Sequence, residues 1–196
     1  MRSSRKQKEL KKFSALIEDP SLFARTMLNL DIWSKQHEIL QSVAKSQRTA
    51  VKACNSSGKT CIAAAAALWW LTRHPDGVVV TTAPTWTQVE RVLWGEIHRI
   101  VARSRISYPR PAATKLDLGP GRFAIGLSTN EGVRFQGFHG TVLVILDEAP
   151  GVLPAIYGRS KAFGPAATFA FWRWEIRSFR ADRSVMRLRR TVRVGI

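Results

Sequence analysis

Lys59 and Thr60 open an alanine-rich helix after a loop of small residues, Ala53-Cys54-Asn55-Ser56-Ser57-Gly58. Backbone N–H groups of such a loop can wrap a phosphate chain, the lysine can reach the β- and γ-phosphates, and the threonine hydroxyl can ligate Mg²⁺. Ninety residues on, Val142-Leu143-Val144-Ile145-Leu146 is fully apolar and ends in Asp147-Glu148. That pattern suits a buried parallel strand that delivers carboxylates to the rim of a sheet. Asp147 would hold the metal directly or through water, and Glu148 would orient and deprotonate the water that attacks the γ-phosphate. The one departure is Ala53, which stands where a glycine is usual; its Cβ disfavours positive φ and predicts a slightly different bend. This chemistry requires the strand entering the loop and the strand ending in Asp147 to be neighbours in one sheet.

Elements around these residues follow from periodicity and punctuation. The segment 13–44 reads as helices broken at Asp19-Pro20, with Ser21 as N-cap and Leu22, Phe23, Met27 and Leu28 on one face. A second helix starts at Trp33-Ser34-Lys35-Gln36 and buries Ile39, Leu40 and Val43. Strands are expected at 49–53, 78–82, 123–127 and 142–146, and helices from 58 to 71 and from about Thr87 onward. Thr85-Trp86-Thr87-Gln88 has the form of a capping box, followed by Val89, Val92, Leu93, Ile97, Ile100 and Val101 at helical spacing. Pro and Gly between Tyr108 and Gly121 mark a loop or short hairpin. This alternation predicts a P-loop α/β fold, a mostly parallel twisted sheet with helices on both faces.

At 196 residues and 45% hydrophobic content the chain suits one well-buried domain. Its formal net charge of +17 and pI near 11.2 point to a polyanionic partner. Basic residues crowd the start (Arg2, Arg5, Lys6, Lys8, Lys11, Lys12), and residues 158–196 carry ten Arg/Lys against Glu175 and Asp182. Cys54 and Cys61 have neither the spacing nor the company of a disulfide framework or zinc site, which suits a reducing cytoplasm. No apolar h-region follows the basic start, and the longest apolar run, Cys61 to Leu71, has eleven residues, too few to span a bilayer.

Three further groups bear on nucleotide chemistry. Gln36 lies a helix ahead of the loop, and its amide can pair with both the N6 donor and the N7 acceptor of adenine. Arg134, in Arg134-Phe135-Gln136-Gly137-Phe138-His139-Gly140, could sense a γ-phosphate or clamp nucleic acid. Thr114-Lys115-Leu116-Asp117 matches a guanine-reading tetrapeptide, but it precedes Asp147 by thirty residues, the reverse of the chain order in GTPases. It reads as an accidental match in a hairpin.

Taken together, these segments resemble the ATPase domain of the large terminase subunit of tailed bacteriophages, from about Asp19 to about Tyr157. The carriers are Trp33-Ser34-Lys35-Gln36, the run Ala53 to Thr60, Ala83-Pro84-Thr85-Trp86-Thr87-Gln88-Val89, Phe135-Gln136-Gly137-Phe138-His139 and Leu146-Asp147-Glu148-Ala149-Pro150-Gly151-Val152. The resemblance implies an Mg²⁺-dependent ATPase in the host cytoplasm that moves double-stranded DNA into a capsid. It implies a portal protein, a small terminase subunit and a ring of like subunits as partners. Gln36 would contact adenine; Ala53, Asn55, Ser56, Ser57, Gly58, Lys59 and Thr60 would cradle the phosphates; Thr60 and Asp147 would hold the metal, and Glu148 the water. These terminases usually carry an arginine inside the phosphate loop. None lies between Ala53 and Thr60, so another basic residue, with Arg134 the candidate, would have to stabilise the transition-state charge, and that role is left unassigned.

The resemblance also sets expectations for organisation: a basic leader over 1–18, the ATPase domain over 19–157 and an Arg/Trp-rich tail over 158–196. That tail loses the strand and helix rhythm, as though out of register with an ancestral gene or serving as a nucleic-acid arm. With only Glu175 and Asp182 beyond Pro150, a two-metal nuclease cannot be assembled. Two other functions stay open: a truncated prophage remnant that binds nucleotide or DNA without turnover, and a helicase-like DNA ATPase.

Overall fold

The computed structural model describes residues 7, 13–53, 56–128, 138–147, 167–174 and 191–195. Helix α1 (Pro20–Thr26) starts where Asp19 Oδ1 accepts the N–H groups of Ser21 (2.8 Å) and Leu22 (3.2 Å), and Pro20 takes a position that needs no donor. Asp19, rather than the expected Ser21, is therefore the cap. The α1 face turned inward carries Phe23 and Ala24, whereas Leu22, expected there too, is exposed. Helix α2 (Ser34–Lys45) buries Ile39, Leu40 and Val43, as their spacing predicts. Strand β1 (Arg48–Ala53) runs to the loop, and α3 (Lys59–Arg73) leaves it as a nearly all-apolar helix whose small alanines allow close approach to the sheet.

Strand β2 (Gly77–Ala83) is buried along its whole length. Beyond it the capping box forms: the Thr85 N–H donates to Gln88 Oε1 (3.1 Å) and the Gln88 N–H to Thr85 Oγ1 (3.3 Å). The helix that follows is not uniform. Over Gln88–Trp94 it widens, and the Gly95 N–H reaches back five residues to the Glu90 carbonyl before α4 (Gly95–Arg103) continues. The wider turn rotates the inward stripe, so that Val92, expected inside, is 45% exposed while Trp94 is fully buried. Trp94 Nε1 donates to Thr81 Oγ1 (2.9 Å), and its ring lies over Gly126, where a Cβ would come within 2.5 Å of Nε1 and 2.6 Å of Val89 Cγ1.

The strands complete one seven-stranded sheet in the order β3-β4-β2-β5-β6-β1-β7, with β3 at Lys115–Asp117, β4 at Phe123–Ser128, β5 at Thr141–Leu146, β6 at Thr168–Trp174 and β7 at Thr191–Gly195. Every pairing is parallel except β3 with β4, the expected hairpin. Two strands come from the region whose sequence seemed to lack strand rhythm. The sheet thus extends past the expected domain edge at 157, and β6 is one of its inner strands. In the hairpin, Lys115 pairs with Asp117 (2.9 Å) and Asp117 accepts the Gly119 N–H (3.0 Å). The guanine-like tetrapeptide is occupied with itself at the edge farthest from β7, consistent with an accidental match.

Strand pleating divides the core into two layers. Val51, Ala53, Ala170, Leu143, Ile145, Val79 and Ala124 face the cluster that contains the described helices. Val78, Val80, Val142, Val144, Leu146 and Leu127 form the second layer, in which Val80, Val144 and Leu146 expose no surface. Both faces are therefore interior, as a parallel sheet requires.

The two glycines beside the widened turn should respond oppositely to alanine. Gly126→Ala is expected to cost about 1–3 kcal/mol through overpacking against Trp94 and Val89. Gly95→Ala, with open space at its Cβ position and helical φ, should be neutral or stabilise by up to about 1 kcal/mol. Urea unfolding of the two variants checks both signs.

Candidate active site

The loop after β1 turns on two left-handed residues, Ser56 at φ 60° and Gly58 at φ 78°. Serine there is strained, so neighbouring contacts must hold the turn. Gln36 supplies one. Its Nε2 donates to the Ser57 carbonyl (3.1 Å) while its Oε1 accepts the Trp33 N–H (3.2 Å), and the side chain sits so close that a Cβ on Gly58 would meet Nε2 at 2.5 Å. Gln36 is 7% exposed. It braces the loop from behind, and an adenine contact would have to use its second N–H and the remaining lone pair of Oε1.

Ala53 ends β1 in extended backbone and is buried; among the described residues it is not one of those with positive φ. That agrees with the aversion of its Cβ to positive φ, and the left-handed positions described in this loop are Ser56 and Gly58. Lys59 follows as the first residue of α3 at 6% exposure, and Thr60, half-buried, is the second. The start of a fifteen-residue helix carries the positive end of its dipole, which favours a negatively charged group near this turn.

Asp147 lies at the end of β5, 8% exposed, and its N–H extends the ladder to the Thr82 carbonyl (2.9 Å). Both Lys59 and Asp147 take part in interactions within the chain. The strands that deliver them are not neighbours, contrary to expectation: β6 lies between β1 and β5. The register shows why the two ends still meet. Phe171 of β6 aligns with Ala50 on one side and Leu146 on the other, so β1 and β5 end at the same rim, with β1 carried three residues further to Ala53. Two strand spacings separate them by roughly 10 Å, room for a phosphate chain and a hydrated metal, whereas direct neighbours would leave half that.

Among the described residues no three His, Cys, Asp or Glu side chains cluster as a metal cage. Mg²⁺ does not need one: it keeps several waters and binds through one or two carboxylates plus substrate phosphates. Thr60 and Asp147 fit that limited role. Glu148, Asn55 and Arg134 lie outside the described residues, as does most of the segment from Arg134 to Gly140.

Beside the start of α3 lies a further group of polar side chains that the sequence did not mark. Glu96, on the first turn of α4, is 7% exposed and hydrogen-bonds the Cys61 thiol one residue past Thr60. Arg99 and Arg103, on the same helix, form ion pairs with it, the second at 4.0 Å. Burial first, then the Glu96 charge, pushes the Cys61 thiol up to about 11. The i, i+3, i+7 spacing of Glu96, Arg99 and Arg103 was visible; that it points at the loop helix was not.

No protein-family model matches the chain, and no curated protein resembles it in sequence. Solved structures do. The large terminase of a thermophilic bacteriophage matches over 74% of this chain and 39% of its own, at a TM-score of 0.57 and 15% identity. Another crystal form of the same terminase matches over 84% and 44%, at 0.60 and 13%. The large terminase ATPase domain of Thermus phage P74-26 matches over 74% and 66%, at 0.53 and 20%. The chain thus spans about two fifths of the full-length terminase it matches. At such identities the likeness speaks for architecture, and the architecture of this chain is that of the large-terminase ATPase domains, a P-loop fold.

Proposed function

We propose that this chain is the ATP-hydrolysing motor domain of a terminase large subunit, coupling hydrolysis to movement of double-stranded DNA. The observation that carries it is the shared rim: β1, followed by the left-handed turn and Lys59 and Thr60, and β5, followed by Asp147, end on the same side of the sheet with one strand between them. The thermophilic phage's large terminase, whose fold this chain shares, has been solved with ADP and with ATP-gamma-S. Bound ATP supplies the reacting phosphoryl group and Mg²⁺ neutralises its oxygens.

In this mechanism the Ser56-Ser57-Gly58 turn and Asn55 present backbone donors to the phosphates. Lys59 pairs with their charge, and the Thr60 hydroxyl with the Asp147 carboxylate keeps the metal at one position. Glu148, next in the chain, orients and deprotonates the attacking water. Arg134 supplies the cation that phosphate loops of this type otherwise carry internally. Gln36 contacts the base while keeping the loop in shape. The partners that go with the role are duplex DNA, a portal protein, a small terminase subunit and further copies of the chain in a ring, in the host cytoplasm.

Turnover is tested on the full chain by phosphate release, with and without duplex DNA. Glu148→Gln should lower the rate about 100-fold or more while still binding ATP, and Lys59→Ala should lose both. A rate indifferent to both substitutions removes the enzyme; nucleotide binding with no turnover in the native chain selects the inactive remnant instead. Gly58→Ala, which drives a Cβ against Gln36 and strains the left-handed position, should weaken nucleotide binding at least about tenfold. Combining it with Gln36→Ala removes the clash and should recover part of that loss, as isothermal titration with ATP would register.

A further inference from the structure

Strand β1 is sealed on one face only. Thr49, Val51 and Ala53, on the side of the described helices, are 0%, 1% and 2% exposed, whereas on the other side Arg48 and Ala50 are half-buried and Lys52 is exposed. The second apolar layer lies over β2, β4 and β5 and stops short of this strand. Yet β1 is an inner strand, with β6 on one flank and β7 on the other, and inner strands of parallel sheets are ordinarily apolar on both faces. Charges that guard a sheet against unwanted pairing belong on its edge strands, so edge protection does not account for Arg48 and Lys52.

Register widens the pattern. Lys52 stands beside Arg173 of β6, and Ala50 stands between Phe171 of β6 and Arg193 of β7. Paired residues of neighbouring strands share a face of the pleat, so the positions of Arg48, Lys52, Arg173 and Arg193 fall on one face of three adjacent strands. The residues of β6, β1 and β7 include no acid to set against these four cations. Like charges at opposed positions, as at Lys52 and Arg173, work against the sheet, and an anion shared between them relieves that cost. Arg48 and Lys52 are four residues apart, about 13 Å along the strand, with Arg193 at the register position midway. No single phosphate spans that distance; a polymer of phosphates does. Lys52 also takes part in an interaction within the chain, and an ammonium with three N–H donors can keep it while taking a phosphate oxygen.

We propose that this face of β6, β1 and β7 is a docking surface for the phosphate backbone of duplex DNA, with Arg48, Lys52, Arg173 and Arg193 as its cations. It lies on the side of β1 turned away from the described helices, behind the strand that leads to the Ser56–Gly58 turn. Local charge calls for a linear polyanion, and the function proposed above, on which this choice rests, makes it duplex DNA. The test contains no nucleotide, so the DNA contact and ATP hydrolysis fail separately.

The test is fluorescence anisotropy of a labelled duplex titrated with the full chain from low to moderate salt. Arg48→Gln with Lys52→Gln should weaken binding about tenfold or more at moderate salt and reduce the magnitude of the slope of log K against log salt by about 2. Arg91→Gln with Lys115→Gln removes the same net charge from exposed positions elsewhere, Lys115 lying at the opposite edge of the sheet, and should leave the slope unchanged. Far-ultraviolet circular dichroism establishes that each variant is folded. A second readout needs no substitution: lysine acetylation of the native chain, followed peptide by peptide by mass spectrometry. Saturating duplex should slow acetylation of Lys52 and leave that of Lys115 as it was. An equal loss of slope in the two double variants, or a Lys52 that duplex does not protect, overturns the proposal. A single strand of the same length that binds more tightly than the duplex, with the same dependence on Arg48 and Lys52, overturns duplex DNA as the occupant.

Discussion

A parallel strand can be joined to the next only by a crossover that carries the chain back to its starting edge, so every strand of such a sheet ends at the same rim. Six of the seven strands here obey this, and the one antiparallel strand is an edge hairpin. The Ser56–Gly58 turn follows β1 and Asp147 follows β5, so both are delivered to one rim of the sheet before any side chain has been placed. Their lateral separation is then set by which strand stands between them. With β6 there, the gap between the ends of β1 and β5 is two spacings, roughly 10 Å.

Within that frame the loop needs its own support. A serine at φ 60° costs free energy that an isolated turn would avoid by relaxing. The Gln36 amide opposes the relaxation from one side by fixing the Ser57 carbonyl, and the buried start of α3 opposes it from the other. The turn is thus held in its left-handed form by contacts on both sides. The same contacts commit one amide N–H and one lone pair of Gln36 to the protein.

Much of this was readable from residues alone, and the failures have physical causes. The helix stripes of α2, the Thr85-Gln88 box and strands β1, β2, β4 and β5 follow period and punctuation closely because their faces are plainly apolar or plainly not. Val92 lies outside because a single widened turn shifts the period, and no residue in Gln88–Trp94 announces it. Ser21 was a poorer guess than Asp19 because a proline at the first helical position points to the residue before it as the cap. Strands β6 and β7 were obscured by charge. Thr168-Phe169-Ala170-Phe171-Trp172 and Thr191-Val192-Arg193-Val194 are rich in β-branched and aromatic residues, but the arginines around them drew attention to composition instead of pattern. Adjacency of β1 and β5 could not be read at all, since strand order depends on where a later segment inserts.

Helix α3 adds a mechanical consequence. Its first turn carries Lys59 and Thr60, and near its other end Trp70 Nε1 donates to the Thr141 carbonyl at the start of β5 (2.9 Å). Just beyond, Asp76 accepts from the Thr141 N–H and hydroxyl (3.1 and 2.9 Å). Fifteen residues of helix, about 22 Å, therefore connect the phosphate turn to the base of the strand that ends in Asp147. A buried, alanine-rich helix packed on a sheet has no slack with which to absorb a shift. Displacement of the Lys59 turn must then carry the acid strand with it or bend the loop at Ser56 and Gly58, where the strain is already stored. The second route is the softer one, so conformational response to an anion should concentrate in the loop and in what touches it: Gln36 on one flank, and Cys61 with Glu96 on the other.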